Sequence, residues 1–300
     1  MSTVSNSEKV EVSEILETAT PQKRRSLPNI LLRLITGLVL MPVIIIIVRL
    51  GSWPLMFTIG FLMFNGILEF YFMERERGLQ NNAIIGIVAA TMILLAYQYH
   101  KPILWQSAVV LTILITFALE FVRGRIFKNS VWRIVTTVAG IFYIAFPLAF
   151  LIAIRQADWG FHWFFAVLFS TWGTDTLAYL TGNMFGKTKL APTLSPGKTV
   201  EGAIGGLVFG ALMPLLVLRI MNEATIAAAV MCIIATFAAT GGDLLESAIK
   251  RFFGVKDSHV PGFNIFPGHG GVLDRIDSTL AVATVYYIYL IWIGKITFLI

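Results

Sequence analysis

Nine apolar stretches, each close to the length of one bilayer crossing, succeed one another along the chain: residues 30–50, 54–73, 82–97, 103–122, 131–154, 161–182, 202–221, 224–249 and 272–294. A helix needs roughly 20 such residues to cross a ~30 Å hydrocarbon core, where every backbone N–H and C=O must be satisfied inside the segment. The pattern predicts an all-α, polytopic integral membrane protein of about nine transmembrane helices. Composition points the same way. With 57% hydrophobic and 13% charged residues and a mean hydropathy of +0.79, little chain is left for a separate soluble domain. The net charge of +6 would suit a nucleic-acid partner in a soluble chain. Here the charges are so sparse that the side of the membrane they occupy is the first question, and no nucleic acid is expected.

Placing the amino terminus in the cytoplasm puts all but five of the 23 Lys and Arg residues on the inner side, the exceptions being Arg49, Lys101, Arg155, Arg219 and Lys295. The positive-inside rule therefore sets the direction of threading. Residues 1–29 read as a polar cytoplasmic tail. Its acids, Glu8, Glu11, Glu14 and Glu17, precede Lys23, Arg24 and Arg25 without the apolar core or cleavage site of a signal peptide. Residues 30–160 then hold about five helices. Residues 161–300 hold about four more, with two cytoplasmic loops, and are expected to carry the chemistry. Cys232 is the one cysteine, so neither an intrachain disulfide nor a CxxC site can form. No internal repeat supports an inverted-repeat transporter.

The acids are concentrated. Asp175, Glu201, Asp243, Glu246, Asp257, Asp274 and Asp277 all fall in the last four stretches and their cytoplasmic loops. Ionisable groups are costly in hydrocarbon and persist where they are paired, hydrated or bound to a cation. At the end of the eighth stretch Asp243, Ser247 and Lys250 share a helix face at i, i+4 and i+7. Glu246 stands at its edge, four residues before Lys250, so an ordinary salt-bridged helix end is the competing reading. The ninth stretch opens with His269, Gly270 and Gly271, where the backbone can approach a ligand and the first N–H groups of a helix suit an anion. Asp274 and Asp277 follow at i and i+3, with Arg275 between them. Helix-dipole complementation alone would need one such acid.

Asp243, Asp274 and Asp277, with Lys250, Arg251, Lys256, His269 and Arg275 around them, have the composition of a site for Mg²⁺ and a polyphosphate: oxygen ligands for a hard cation, and basic groups for the remaining phosphate charge. Zinc is disfavoured, since His259 and His269 are the only histidines nearby and there is no thiolate. The loop from Gly182 to Gly202 adds Ser195, Pro196, Gly197, Lys198 and Thr199. A Walker A reading of Gly197-Lys198-Thr199 fails because Pro192 stands where that motif needs glycine. Lys198, framed by Pro196 and Gly197, reads as a phosphate clamp against the alternative of an ordinary basic loop. Asp175, one turn before Tyr179, is placed to orient that clamp or to pair with a buried base.

These pieces have a familiar order. Ser247-Ala248-Ile249-Lys250-Arg251, Lys256-Asp257 and His269-Gly270-Gly271-Val272-Leu273-Asp274-Arg275-Ile276-Asp277 closely resemble the signature of the phosphatidate cytidylyltransferase (CDP-diacylglycerol synthase) family. Asp175-Thr176-Leu177-Ala178-Tyr179, Ser195 to Gly202, and Gly242 to Ser247 also look like that family. The resemblance runs from about Asp175 to Ser278, while the amino-terminal half resembles the family only as a set of apolar helices. One departure is the spacing between Lys256-Asp257 and His269, which is four residues longer than usual, the excess falling within His259 to Gly262.

The resemblance implies transfer of CMP from CTP to phosphatidic acid, giving CDP-diacylglycerol and pyrophosphate. It implies a Mg²⁺-dependent homodimer, with a second cation left open, working on membrane lipids at the cytoplasmic side of a bacterial-type inner membrane. On that reading Asp243, Asp274 and Asp277 are the metal ligands and catalytic carboxylates, with Lys250 beside them. Asp175, Ser195, Lys198, Ser247, Arg251, Lys256, His269, Gly270, Gly271 and Arg275 would meet the substrates. The rivals are a CTP-dependent lipid-alcohol kinase, a related lipid cytidylyltransferase and, from another class, an ion-coupled transporter.

Overall fold

The computed structural model describes residues 40–78, 81–124, 127–258 and 271–299, without the side chains of 127–130. The chain divides into two compact units, Met1–Ile46 and Ile47–Ile300. Residues 40–46 of the first are described, and they belong to a short apolar helix, α1 (Leu40–Leu50).

The second unit is built of α2 (Ser52–Glu76), α3 (Ala83–Tyr99), α4 (Pro102–Val122), α5 (Phe127–Gly140), a π turn (Ile141–Ala145), α6 (Phe146–Gln156), α7 (Gly160–Phe185), a hairpin of β1 (Lys189–Ala191) and β2 (Ser195–Thr199), α8 (Val200–Ile220), α9 (Ile226–Phe253) and α10 (Leu273–Trp292). Each apolar stretch from 54–73 onward corresponds to one helix or, for 131–154, to α5, the π turn and α6 in line. Among the described residues five segments are long and apolar enough to cross a membrane: Ser52–Glu76, Pro102–Val122, Val131–Gln156, Val200–Ile220 and Ile226–Phe253. The chain is an all-α integral membrane protein. Among the described residues the one strand pair is the hairpin, a structured insert where the sequence predicts a plain loop.

Burial follows what lipid, rather than water, demands. α4 turns Val110, Leu114, Phe117, Phe121 and Val122 outward and buries Ala108, Thr112, Thr116 and Glu120, one residue per four. In hydrocarbon there is no gain from hiding leucine, so the helix buries its small and polar face. α8 does the same with Gly202, Gly206, Gly210 and Pro214, the face that packs on α7. A Cβ at Gly206 would press on the Thr174 carbonyl and Ala178, so glycine is what brings these two backbones together. The aromatic core lies deeper. Phe150 stacks on Tyr287 at 4.1 Å, and the Ser170 and Tyr286 hydroxyls share a hydrogen bond of 2.9 Å.

Contacts between helix ends sort those ends into two sets. In one set Arg77, just past α2, donates to the Phe252 carbonyl on α9, Glu69 meets the start of α10, and Arg133 pairs with Glu120 at 3.2 Å. In the other, Arg155 donates to the Val48 carbonyl at 2.6 Å, Gln156 to that of Gln98 at 3.1 Å and Trp105 to that of Leu299 at 2.9 Å, while Lys295 pairs with Glu223 at 2.6 Å. No end that the charge census places on one side touches an end placed on the other in these contacts. The candidate site belongs to the first set.

Candidate functional site

Local signals place the site's elements. Thr199 ends β2 and caps α8, its hydroxyl accepting the Gly202 N–H at 3.1 Å. The Glu201 carboxylate accepts the N–H groups of Lys187 at 3.1 Å and Thr188 at 3.2 Å, which holds the hairpin against the helix start. The strands pair antiparallel, Lys189 opposite Thr199 and Ala191 opposite Ser195. This puts Lys198 over α9, where its ammonium pairs with Asp243. α9 stops at Gly254, whose φ of +78° is left-handed, and the Val255 N–H returns to the Lys250 carbonyl at 3.0 Å.

α9 and α10 run antiparallel and meet closely at Gly242, where a Cβ would strike the Asp277 carbonyl and Ala281. Their charged residues therefore face each other in two successive layers. In the first, Asp243, Asp277 and Asp175 of α7 lie within electrostatic reach of one another and of Lys198. Asp277 is buried and accepts the Ser278 N–H at 2.7 Å. Asp175 is exposed, and Asp243 is open to about the same degree as its lysine, with side-chain exposures of 29% and 25%. Three carboxylates here share one described lysine.

The second layer is closed. Lys250 pairs with Glu246 at 2.6 Å, the i, i+4 pair its spacing predicts, and with Asp274 at 2.7 Å. Asp274 also accepts the Gly271 N–H at 2.8 Å and the Ser258 N–H at 3.4 Å. Glu69, from the middle of an otherwise apolar stretch of α2, accepts the Val272 and Leu273 N–H groups, each at 2.8 Å, and the Ser258 hydroxyl at 3.0 Å. A Cβ on Gly271 would collide with that hydroxyl and with the Glu69 carboxylate, so glycine is required there.

Two sequence expectations change. The N–H groups opening α10, read as an anion seat, are already taken by the carboxylates of Glu69 and Asp274. Glu69 complements the helix dipole from another helix and leaves no vacancy for a phosphate at those three donors. The three aspartates also do not form one group: Asp243 and Asp277 share a layer, while Asp274 is held by Lys250. Of the remaining expected residues, Ser195 lies on the hairpin and Ser247 is buried on α9. Arg251 donates to the Val255 carbonyl at 3.2 Å, and Arg251, Lys256 and Arg275 are all exposed. His269 and Gly270 lie outside the described residues. Glu69 and Ser258 were missed by the sequence reading. A lone carboxylate inside an apolar stretch was the available signal for Glu69, since such a group is a functional-site candidate by default.

Among the described residues no three His, Cys, Asp or Glu side chains stand close enough to cage one ion. Mg²⁺ keeps several waters and is typically held by one or two carboxylates together with substrate phosphates. The open layer supplies oxygen donors of that kind and number.

The profile of the cytidylyltransferase family matches residues 31–293. Phosphatidate cytidylyltransferases are similar to the chain over most of its length. That of Staphylococcus saprophyticus is 31% identical over 264 residues, 87% of this chain and 99% of its own. That of Bacillus subtilis is 32% identical over 266 residues, 86% and 96% of the two chains, and that of Thermotoga maritima 34% over 243 residues, 69% and 87%. The likeness thus reaches well into the amino-terminal half, where the motifs alone showed only apolar helices. With the ordered motifs, the helical membrane fold and the similarity in agreement, the chain belongs to the cytidylyltransferase family.

Proposed function

We propose that this protein is a phosphatidate cytidylyltransferase that joins CMP from CTP to the phosphate of phosphatidic acid. The observation that carries the reading is the open layer, in which Asp175, Asp243 and Asp277 share one described lysine, Lys198, at the mouth of a helical membrane scaffold. A phosphate oxygen of the lipid attacks the α-phosphorus of CTP. One P–O bond forms, the bond from the α-phosphorus to the bridging oxygen breaks, and pyrophosphate leaves with that electron pair. No general base is needed, because a phosphomonoester is already ionised near neutral pH. The tasks left to the protein are alignment and charge neutralisation.

Asp243 and Asp277, with Asp274 in the neighbouring layer beside Lys250, are the carboxylates that would hold Mg²⁺. Mg²⁺, when bound, neutralises the polyphosphate. Lys198 exchanges Asp243 for a nucleotide phosphate, and Ser195 and Ser247 offer hydroxyls. Arg251, Lys256 and Arg275 line the phosphate approach, and His269, outside the described residues, is assigned to the substrate by the family resemblance alone. Asp175 holds Lys198 in position, and Gly271 keeps the turn before α10 narrow. Glu69 fixes that turn from outside the reacting centre. The excess of Lys and Arg at these helix ends supports a site on the cytoplasmic side of a bacterial-type inner membrane, where CTP arrives from water and the lipid from the inner leaflet. A homodimer completes the reading.

The test incubates the purified protein with phosphatidate and CTP labelled at either the α- or the γ-phosphorus. The expected result is label in lipid from α-labelled CTP alone. Lipid labelled from γ-labelled CTP would make the protein a kinase. Ion flux in sealed liposomes without CTP turnover would make it a transporter.

A further inference from the structure

Between α2, the π turn and the last turns of α9 lies an apolar groove of about 390 Å³, bounded by Phe70, Ala139, Tyr143, Ile249, Phe252 and Phe253. The polar machinery above leaves it unused. Among the described residues no charged side chain lines it, and Tyr143 brings its hydroxyl, so a nucleotide's phosphates find no ionic partner inside. Its wall is exposed at Ala139 and Phe252, on a scaffold whose exposed flanks are apolar helix faces. Arg77 holds that rim, its guanidinium 3.9 Å from the centre of the Phe252 ring.

The groove lies beside the charged centre. Ile249 precedes Lys250, and Phe253 continues the face that carries Glu246 and Lys250. Phe70 follows Glu69 and packs on Tyr143 and Phe253 at 5.9 and 6.0 Å between ring centres. The Tyr143 hydroxyl is buried and has no hydrogen-bond partner in the described structure. It lies within electrostatic reach of Glu246, Asp277 and Asp243. Tyr143 stands in the π turn, a device that shifts helix register and recurs at functional sites. A matching ligand has hydrocarbon at one end and an oxygen-rich anionic group at the other.

We propose that this groove seats an acyl chain of the lipid substrate, admitted sideways from the membrane, and that the Tyr143 hydroxyl donates to an oxygen at the headgroup end of the same molecule. The proposal rests on the lipid-cytidylyltransferase reading and adds where the lipid lies and how it enters.

The experiment uses the full-length wild-type protein in lipid vesicles and phosphatidate bearing a photoactivatable diazirine near the end of one acyl chain. Label is expected on the segments holding Phe70, Ala139 and Phe252. Excess dioleoyl phosphatidate should remove it and dioleoyl phosphatidylcholine should not. Label confined to the outer face of α4, around Phe117 and Phe121, or label indifferent to phosphatidate, overturns the proposal. In kinetics, Ala139→Trp narrows the groove from its exposed wall and should raise KM for dioleoyl over dihexanoyl phosphatidate about tenfold, a factor worth ~1.4 kcal/mol, with KM for CTP unchanged. Equal shifts for the two lipids also overturn it. Tyr143→Phe should lower kcat/KM for both lipids alike. A wild-type protein that puts no α-label into lipid defeats the functional reading instead, and the photolabelling result still judges the groove separately.

Discussion

Two charged layers lie one above the other between α9 and α10, and they are built on opposite principles. In the layer of Glu246, Lys250 and Asp274 the ammonium bridges two carboxylates, Gly271 and Ser258 donate to Asp274, and Glu69 takes the Ser258 hydroxyl, so that one Glu246 oxygen is the acceptor left without a hydrogen bond among the described residues. In the layer of Asp175, Asp243 and Asp277 a single described lysine faces three acids, and part of the group stays open to the surface. A satisfied network in a low-dielectric setting rigidifies what it touches, whereas an unbalanced and accessible one awaits a ligand of the complementary charge. The closed layer acts as scaffold for the open one. It fixes the start of α10 so that Asp277 arrives opposite Asp243.

The sharpest way to break the comparison is Lys250→Met. It leaves Glu246 and Asp274 facing each other without a cation, a loss of about 3–5 kcal/mol for one partner of a buried pair. Lower thermal stability in detergent should accompany the loss of activity, and a variant that is fully stable yet inactive would move Lys250 from scaffold to chemistry. Asp243→Asn should do the reverse. Turnover is expected to fall by about 10²–10³, the scale of losing one preorganised electrostatic group, with an unchanged melting profile, and Asp277→Asn should follow it. Substantial residual turnover in both would remove the open layer from the reaction.

Glu69→Ala frees the Val272 and Leu273 N–H groups and should cost about 1–2 kcal/mol, as removal of a good helix cap does. Because Glu69 positions and does not touch substrate, kcat should drop more than either KM, and Glu69→Asp or Glu69→Gln should restore part of it. A pure KM effect would make Glu69 a binding residue. The smallest change is expected of Lys198→Ala, which should raise KM for CTP or phosphatidate about tenfold, the ~1.4 kcal/mol scale of one charge-assisted contact. Unchanged KM for both substrates would leave Lys198 as a mere partner of Asp243.

Much of this was legible residue by residue. The apolar stretches from 54–73 onward match helices because a helix in lipid satisfies its own backbone, so its existence is a local property. The Glu246–Lys250 pair was readable as well, since four residues on one helix fix a neighbour. The π turn inside the stretch 131–154 was not, because hydropathy is blind to one extra residue in a turn. The hairpin at Lys189–Thr199 was likewise invisible as structure, being held by Glu201 and Thr199 at the start of the following helix. Glu69 was overlooked because its partners stand about 200 residues away.

By itself, the sequence determined that the chain is a bundle of membrane helices whose acids concentrate in the last four apolar stretches and their loops. Only the tertiary structure decided how those charges are divided. Helix formation and hydrophobicity are settled within a few residues. The partner of a carboxylate depends on the register and separation of two helices, set here by a glycine contact at Gly242 and a carboxylate reaching across from α2.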